Sequence, residues 1–245
     1  MGDLVSAEWL KLRTTRLVYG MAAAAVLLSV AAVTGGVLAT ERSSTPLAST
    51  RGLDQILSLT GTGALVMLLV GILVAAGEYR HGTAADTFLT TPRRHRVVLA
   101  KLAVSAAVGL AAGLITAAAG VATAVALFNV EGTTFPLGDR DVWLTLAGTL
   151  AYTTLFAVLG VALGTLIRNQ VLAVAVALAW IGIVEHIFIS LAPGVGRWLP
   201  AMAGQAVVRT PIEDVLPPLG GLVVLTIYAV VVGVAGVRFA MTRDV

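Results

Sequence analysis

Long apolar runs separated by short polar breaks set the pattern of the chain. Runs at about 17–39, 57–76, 97–128, 142–167, 171–191 and 219–237 each approach or exceed the ~20 apolar residues a helix needs to cross a hydrocarbon core about 30 Å thick. The pattern predicts an all-α integral membrane protein with six transmembrane helices, forming a single transmembrane domain over residues 1–245. The run at 97–128 is longer than one bilayer thickness, so its first turns are expected to project from the membrane. Only Arg168-Asn169-Gln170 separates the fourth run from the fifth, which makes those two helices antiparallel neighbours.

Two polar stretches carry patterns of their own. Residues 3–16 place Leu4, Val5, Trp9 and Leu12 near one helical face, with Glu8, Lys11 and Arg13 largely elsewhere, the pattern of an N-terminal interfacial amphipathic helix. A secretory signal is the competing reading, with Val37-Leu38-Ala39 as a small-residue cleavage site. The 17–39 run far exceeds an h-region of about 7 to 15 residues, and Asp3 and Glu8 do not suit an n-region, so a retained first span is expected. Residues 192–218 hold five prolines yet are apolar over Trp198–Val208, which predicts an outer re-entrant-like segment between the fifth and sixth spans. Irregular backbone at that depth requires protein or water to satisfy it.

Composition agrees with the periodicity: 58% of residues are hydrophobic and 12% charged, too few charges to surround a soluble core of 245 residues. There is no cysteine, which excludes disulfides, thiolate metal sites and thiol nucleophiles. The net charge of +3 does not mark a nucleic-acid binder, because the basic residues lie in short loops rather than on one basic face. Their distribution orients the chain. With both termini inside, eleven of the sixteen Lys and Arg residues lie in the cytoplasm, five of them in Gly77–Lys101 alone. The inverted topology reverses that ratio.

Gly77–Lys101, GEYRHGTAADTFLTTPRRHRVVLAK, also carries local signals. Gly82 can stop the helical extension of the second span. Thr83-Ala84-Ala85-Asp86 fits a capping box, and Thr91-Pro92 can begin the next helix. The result is a short cytoplasmic helix bearing Phe88 and Leu89, followed by Arg93, Arg94 and Arg96. It reads either as a docking element for another protein or as a solvated positive-inside loop. Glu78, at the membrane boundary, either links the second span to that helix or is an ordinary interfacial anion.

These residues resemble the permease subunit of ABC type-2 exporters. That family has an N-terminal amphipathic helix, six spans and a first cytoplasmic loop like Glu78, Gly82-Thr83, Thr91-Pro92, Arg94 and Lys101 here, together with SAEWLKLRTTR at the N-terminus. The resemblance implies a bacterial-type plasma membrane and a dimer with a second permease copy, identical or related. It also implies a separate ATP-binding subunit holding ATP and Mg, docked on the N-terminal helix and a short cytoplasmic coupling helix. The coupling residues it points to are Trp9, Lys11, Arg13, Glu78, Arg80, Thr83, Asp86, Phe88, Leu89, Arg93 and Arg94. Consistent with borrowed energy, no G-x-x-x-x-G-K-[ST] occurs in the sequence. No cofactor or metal is expected in this chain.

Glu185 and His186 lie within the fifth run, where ionisable residues are costly and often functional. Either the fifth helix ends early and Glu185 pairs with Arg197 or Arg209 of the outer segment, or the two residues line a translocation route, for which Tyr152, Phe156 and Trp180 offer apolar contacts, or sense protons. Gly109-x-x-x-Gly113 and Gly160-x-x-x-Gly164 permit close helix approach, within one subunit or between two. A catalytic site is not expected: His81, His95 and His186 are scattered, no span carries an Asp, and no H-E-x-x-H occurs. The alternative to transport is a membrane-anchored immunity or scaffolding protein that binds a partner. The few polar groups in the spans favour a hydrophobic or amphipathic solute, of drug, lipid or peptide class, over a bare ion. Direction, out of the cytoplasm, comes from the resemblance alone.

Overall fold

The computed structural model describes residues 2–42, 46–47, 49–80 and 94–242. The described residues are helical throughout their regular structure, and six helices are long and apolar enough to cross a membrane: Arg16–Arg42, Thr50–Arg80, His95–Val130, Arg140–Ile167, Gln170–Leu191 and Pro218–Met241. They are called the first to sixth spans below. The chain is a multi-pass membrane protein. The end of the bundle that bears Arg80 and Arg94 is called proximal, and the opposite end distal.

An N-terminal helix, Gly2–Thr14, precedes the first span. Thr15 separates the two, and threonine hydroxyls satisfy the carbonyls freed at the break: Thr14 Oγ1 donates to the Leu10 carbonyl at 3.0 Å and Thr15 Oγ1 to that of Lys11 at 2.6 Å. The helix turns a stripe that includes a polar position to the bundle and leaves part of its apolar face outward. Glu8 and Leu12 are buried and Leu4 half-buried, one i, i+4, i+8 stripe against the third span, whereas Val5 and Trp9 are exposed. A carboxylate can face the bundle here because Lys101 of the third span lies beneath it at 2.6 Å.

The second span begins earlier than its apolar run. Ser49 caps it, its Oγ accepting from the Gly52 N–H at 3.2 Å, and Thr50–Ser58 forms an amphipathic helix that buries Leu53, Ile56 and Leu57. A 3₁₀ turn, Leu59–Thr62, redirects the chain into Gly63–Arg80. At the distal end Phe135 packs edge-on against Phe128, with centroids 5.3 Å apart, and closes the connection to the fourth span.

The fourth span is the hub, packing on the second, third and sixth. Glycines set these contacts. A Cβ at Gly160 would strike the Leu68 carbonyl and lie 3.1 Å from the Gly71 Cα, and one at Gly164 would lie 2.8 Å from the Ile72 carbonyl oxygen. A Cβ at Gly109 would lie 2.9 Å from the Thr154 Cα and one at Gly113 3.2 Å from the Leu150 Cα. Both Gly-x-x-x-Gly pairs are therefore occupied in packing helices within the subunit. Buried hydroxyls close the core: the Thr60 and Thr149 Oγ1 atoms are 2.7 Å apart, and Ser29 Oγ donates to the Thr116 carbonyl at 3.3 Å.

The fourth and fifth spans meet in a tight turn. Arg168 takes a left-handed backbone, φ 56°, and Asn169 Oδ1 caps the fifth span by accepting from the Leu172 N–H at 3.0 Å. The fifth span is interrupted by a π turn at Trp180–Val184. Within residues 192–218, a short helix Pro193–Gly196 leads to a second, Pro200–Val207, which buries Met202, Ala203, Ala206 and Val207 against the fourth and sixth spans.

Candidate functional site: a ring of four charges

At the proximal end, three elements that are far apart in sequence are joined by charge. Glu8 sits mid-helix in the N-terminal helix and Lys11 one turn on; Glu78 lies in the last turn of the second span, and Lys101 about two turns into the third long helix. Lys101 Nζ donates to Glu8 Oε2 at 2.6 Å and to Glu78 Oε1 at 2.5 Å. Lys11 Nζ donates to Glu8 Oε1 at 2.7 Å and to Glu78 Oε1 at 2.9 Å. Each carboxylate thus meets both ammonium groups, so the ring closes on itself with no net charge.

The ring is buried on one side. The side chain of Lys101 is 7% exposed and that of Glu8 6%, while Lys11 is 44% exposed and lies at the rim. Burial alone would lower the pKa of Lys11, but hydrogen bonds and charge from Glu8 and Glu78 outweigh it and hold the ammonium above its ordinary value. A buried ion pair is tolerated only when its remaining polar atoms are satisfied, and the double pairing provides this. It makes a rigid joint between the N-terminal helix and the two helix ends that flank residues 81–93.

A second set of contacts extends the joint across the proximal end. Arg80 Nη1 donates to Gln170 Oε1 at 3.3 Å. Arg168 Nη2 donates to the Phe239 carbonyl at 2.8 Å, and its guanidinium stands 5.1 Å from the centre of the Tyr79 ring. The second span's last turn is therefore tied both to the fourth–fifth turn and to the end of the sixth span.

Among the residues expected to couple to another subunit, the ring unites Lys11 and Glu78, and Arg80 lies two residues beyond Glu78. Trp9 and Arg13 flank the ring on the exposed side of the N-terminal helix. Thr83, Asp86, Phe88, Leu89 and Arg93, with the capping signals around them, lie outside the described residues; Arg94 opens the third long helix. The sequence pattern includes Lys101 in a motif and places Glu8 off the apolar face, without assigning either a role. The available signals were the i, i+3 spacing of Glu8 and Lys11 and a lone lysine inside an apolar run, which requires a counter-charge.

The residues suggested for a translocation route differ in exposure. Tyr152 and Phe156 are buried in the core with rings 4.5 Å apart, edge to face, and the Tyr152 ring fills the space beside Gly204. Trp180 is exposed at the π turn, as is His186, whose Nδ1 lies 3.1 Å from the Ile181 carbonyl oxygen. Glu185 is fully buried, and neither expected arginine is its partner. Its Oε2 accepts from the Ala201 N–H at 2.9 Å, in the first turn of the Pro200–Val207 helix. Arg209 pairs instead with Asp141, at 2.7 Å, and Arg197 lies over the Trp198 ring. The reason is local: helix Pro200–Val207 presents unsatisfied N–H groups to the fifth span, and a carboxylate answers them without needing a cation.

A family model described as ABC-2 family transporter protein matches residues 4–184, about three quarters of the chain. A comparison with curated proteins gave no match. The matched stretch contains the whole charge ring, and the chain belongs to the ABC-2 transporter family.

Proposed function

We propose that this member of the ABC-2 transporter family is the permease subunit of an ATP-driven exporter. It works as a dimer with a second permease copy, in a bacterial-type plasma membrane, with its proximal end and both termini in the cytoplasm. The observation that carries the reading is the ring of Glu8, Lys11, Glu78 and Lys101. Residues 81–93 join the second span, which ends just past Glu78, to the helix that carries Lys101, so a partner pressing on that segment moves both helix ends and the N-terminal helix together. Helix ends locked by buried charge transmit displacement; freely solvated ends absorb it. The basic distribution supports the orientation, since Arg80, Arg94, Arg96, Arg168 and Arg238 all cluster at the proximal end.

ATP and Mg are held by a separate subunit, because the sequence offers no phosphate-binding loop. The solute is hydrophobic or amphipathic, in keeping with spans whose polar groups are mostly threonine hydroxyls bonded to their own helix. Co-expression with a P-loop ATPase encoded beside it tests the reading. The two proteins are expected to co-purify, and charge reversal of Arg93, Arg94 and Arg96 together with Phe88→Ala is expected to abolish the complex. A complex and ATP hydrolysis unaffected by those changes would refute the docking surface. Stable binding with no ATP-dependent solute movement in vesicles would favour a scaffolding protein instead.

A further inference from the structure

Two apolar grooves run along the third span on either side of Trp9. The deeper, about 240 Å³, is walled by Leu12, Val18, Met67, Val108 and Ile115; the shallower, about 410 Å³, by Val5, Ser6, Leu10, Ala103 and Ala107. Trp9 and Arg13 border both. Their depth follows from helix register. Ser29 of the first span bonds the Thr116 carbonyl of the third, and both helices run in the same direction. Arg16, thirteen residues before Ser29, therefore lies about 20 Å nearer the proximal end, level with Ala103. The elbow carrying Arg13 is thus at the depth where, just past Lys101, the third span becomes free of charged residues. From there to Ile115 the third span extends about 18 Å, close to the ~15 Å depth of one leaflet's hydrocarbon.

We propose that these grooves form a binding site for one anionic phospholipid of the proximal leaflet. One acyl chain occupies the deep groove along Val108–Ile115, and the phosphate rests on Arg13 above the shallow groove, beside Ser6. Charge selects the occupant. The four charges of the ring cancel, and among the described residues no carboxylate pairs with Arg13 or the neighbouring Arg16, so the groove mouth has surplus positive charge. The Tyr19 hydroxyl donates to the Arg13 carbonyl at 3.0 Å and fixes the elbow, and Trp9 and Tyr19 are aromatic groups of the kind that settle at headgroup depth. A bound chain would fill the space beneath the N-terminal helix without disturbing the ring, so the bilayer becomes part of the joint.

Trp9 is the reporter. The full-length protein with Trp143, Trp180 and Trp198 changed to Phe is reconstituted in phosphatidylcholine vesicles containing brominated-chain phosphatidylglycerol or brominated-chain phosphatidylcholine. Half-maximal quenching of Trp9 is expected at about five-fold lower mole fraction of the anionic lipid, the preference one surface arginine confers. Arg13→Gln should remove that preference, and Ala111→Leu, which fills the deep groove, should weaken quenching by both lipids. Equal quenching by the two lipids in the Arg13 protein overturns the proposal. So does quenching by neither, which would mean that a second copy of the chain covers the groove. Native mass spectrometry of the protein with all four tryptophans provides an independent readout. One retained phosphatidylglycerol is expected, lost in Arg13→Gln; retention that is unchanged by the substitution also overturns the site.

Discussion

Lys101→Met removes the buried cation of the ring and keeps the length of its side chain. Lys101 bridges both carboxylates at 2.6 and 2.5 Å, and its loss leaves the buried Glu8 facing Lys11, which is 44% exposed, and takes the buried cation from Glu78. Breaking a buried pair from one side costs about 3–5 kcal/mol, because a desolvated charge is left behind. That cost falls on the docked position of the N-terminal helix, since the helix can leave the bundle and carry Glu8 back to water. A 3 kcal/mol loss raises the undocked population about 100-fold. The absence of native cysteine makes the measurement direct: Val104→Cys, at 2% exposure beneath the N-terminal helix, reacts with a water-soluble maleimide only when the helix lifts. Labelling is expected to be about 100-fold faster in Lys101→Met. Lys11→Ala should accelerate it far less, since a rim pair contributes roughly 0–1 kcal/mol. Adding Glu8→Gln to Lys101→Met removes the stranded carboxylate and should restore most of the protection. Labelling no faster than the parent in Lys101→Met, or a double variant as labile as the single, would refute the ring as the joint.

The same reporter tests pH. The pKa of Lys11 is raised in the folded state, so its contribution is complete below the ordinary lysine value of about 10.4 and is lost as pH rises through the folded value; labelling corrected for maleimide chemistry should be flat from pH 6 to 9 and rise only above about 10.5. Gly160→Ala forces a methyl against the Leu68 carbonyl and should cost about 1–3 kcal/mol, lowering the melting temperature of the solubilised protein by roughly 3–10 °C. Gly182→Ala has open space around it and should leave melting unchanged or slightly higher, so equal effects at the two glycines would contradict the packing described. Glu185→Gln keeps an oxygen for the Ala201 N–H, whereas Glu185→Ala loses that cap at a cost of about 0.5–2 kcal/mol. Amide exchange at Ala201 should therefore quicken in the alanine variant and stay near the parent in the glutamine variant; the reverse order would show that charge, not capping, matters there.

The six spans were legible because a helix crossing hydrocarbon must be apolar along its whole length, a signal that needs no knowledge of partners. The face that each helix presents was not. Polarity marked the apolar face of the N-terminal helix, but it could not show that Glu8 turns to the bundle, because its partner Lys101 lies 93 residues away. The partner of Glu185 was missed for a similar reason. Charge suggested Arg197 or Arg209, whereas the group that answers it is a backbone N–H exposed only once Pro200 begins a helix. Ser49, too, reads as one more polar loop residue until its side chain is seen to cap a helix that starts well before the second apolar run. In each case the missing information is tertiary.

The packing also says which parts of the bundle can transmit motion and which can move. Glycine contacts lock the second span to the fourth with backbone against backbone, and 67% of the second span's most apolar window is buried within the subunit. A displacement of Glu78 is therefore a displacement of the hub. The fifth span has only 17% of its window buried and contains a π turn, whose wider hydrogen-bonded loop bends more readily than an α-helix. It is tied to the second span at its start by Gln170 on Arg80, and towards its other end by Glu185 on the Pro200–Val207 helix. If the proposed coupling holds, force entering at the ring would pass through a stiff pair of helices to a lightly packed one. If the Glu185 anchor sets how far the fifth span follows the hub, Glu185→Ala should leave ATP hydrolysis by the partner intact while solute movement falls. Loss of both together would place the effect in assembly of the complex and remove the fifth span from the transmission path.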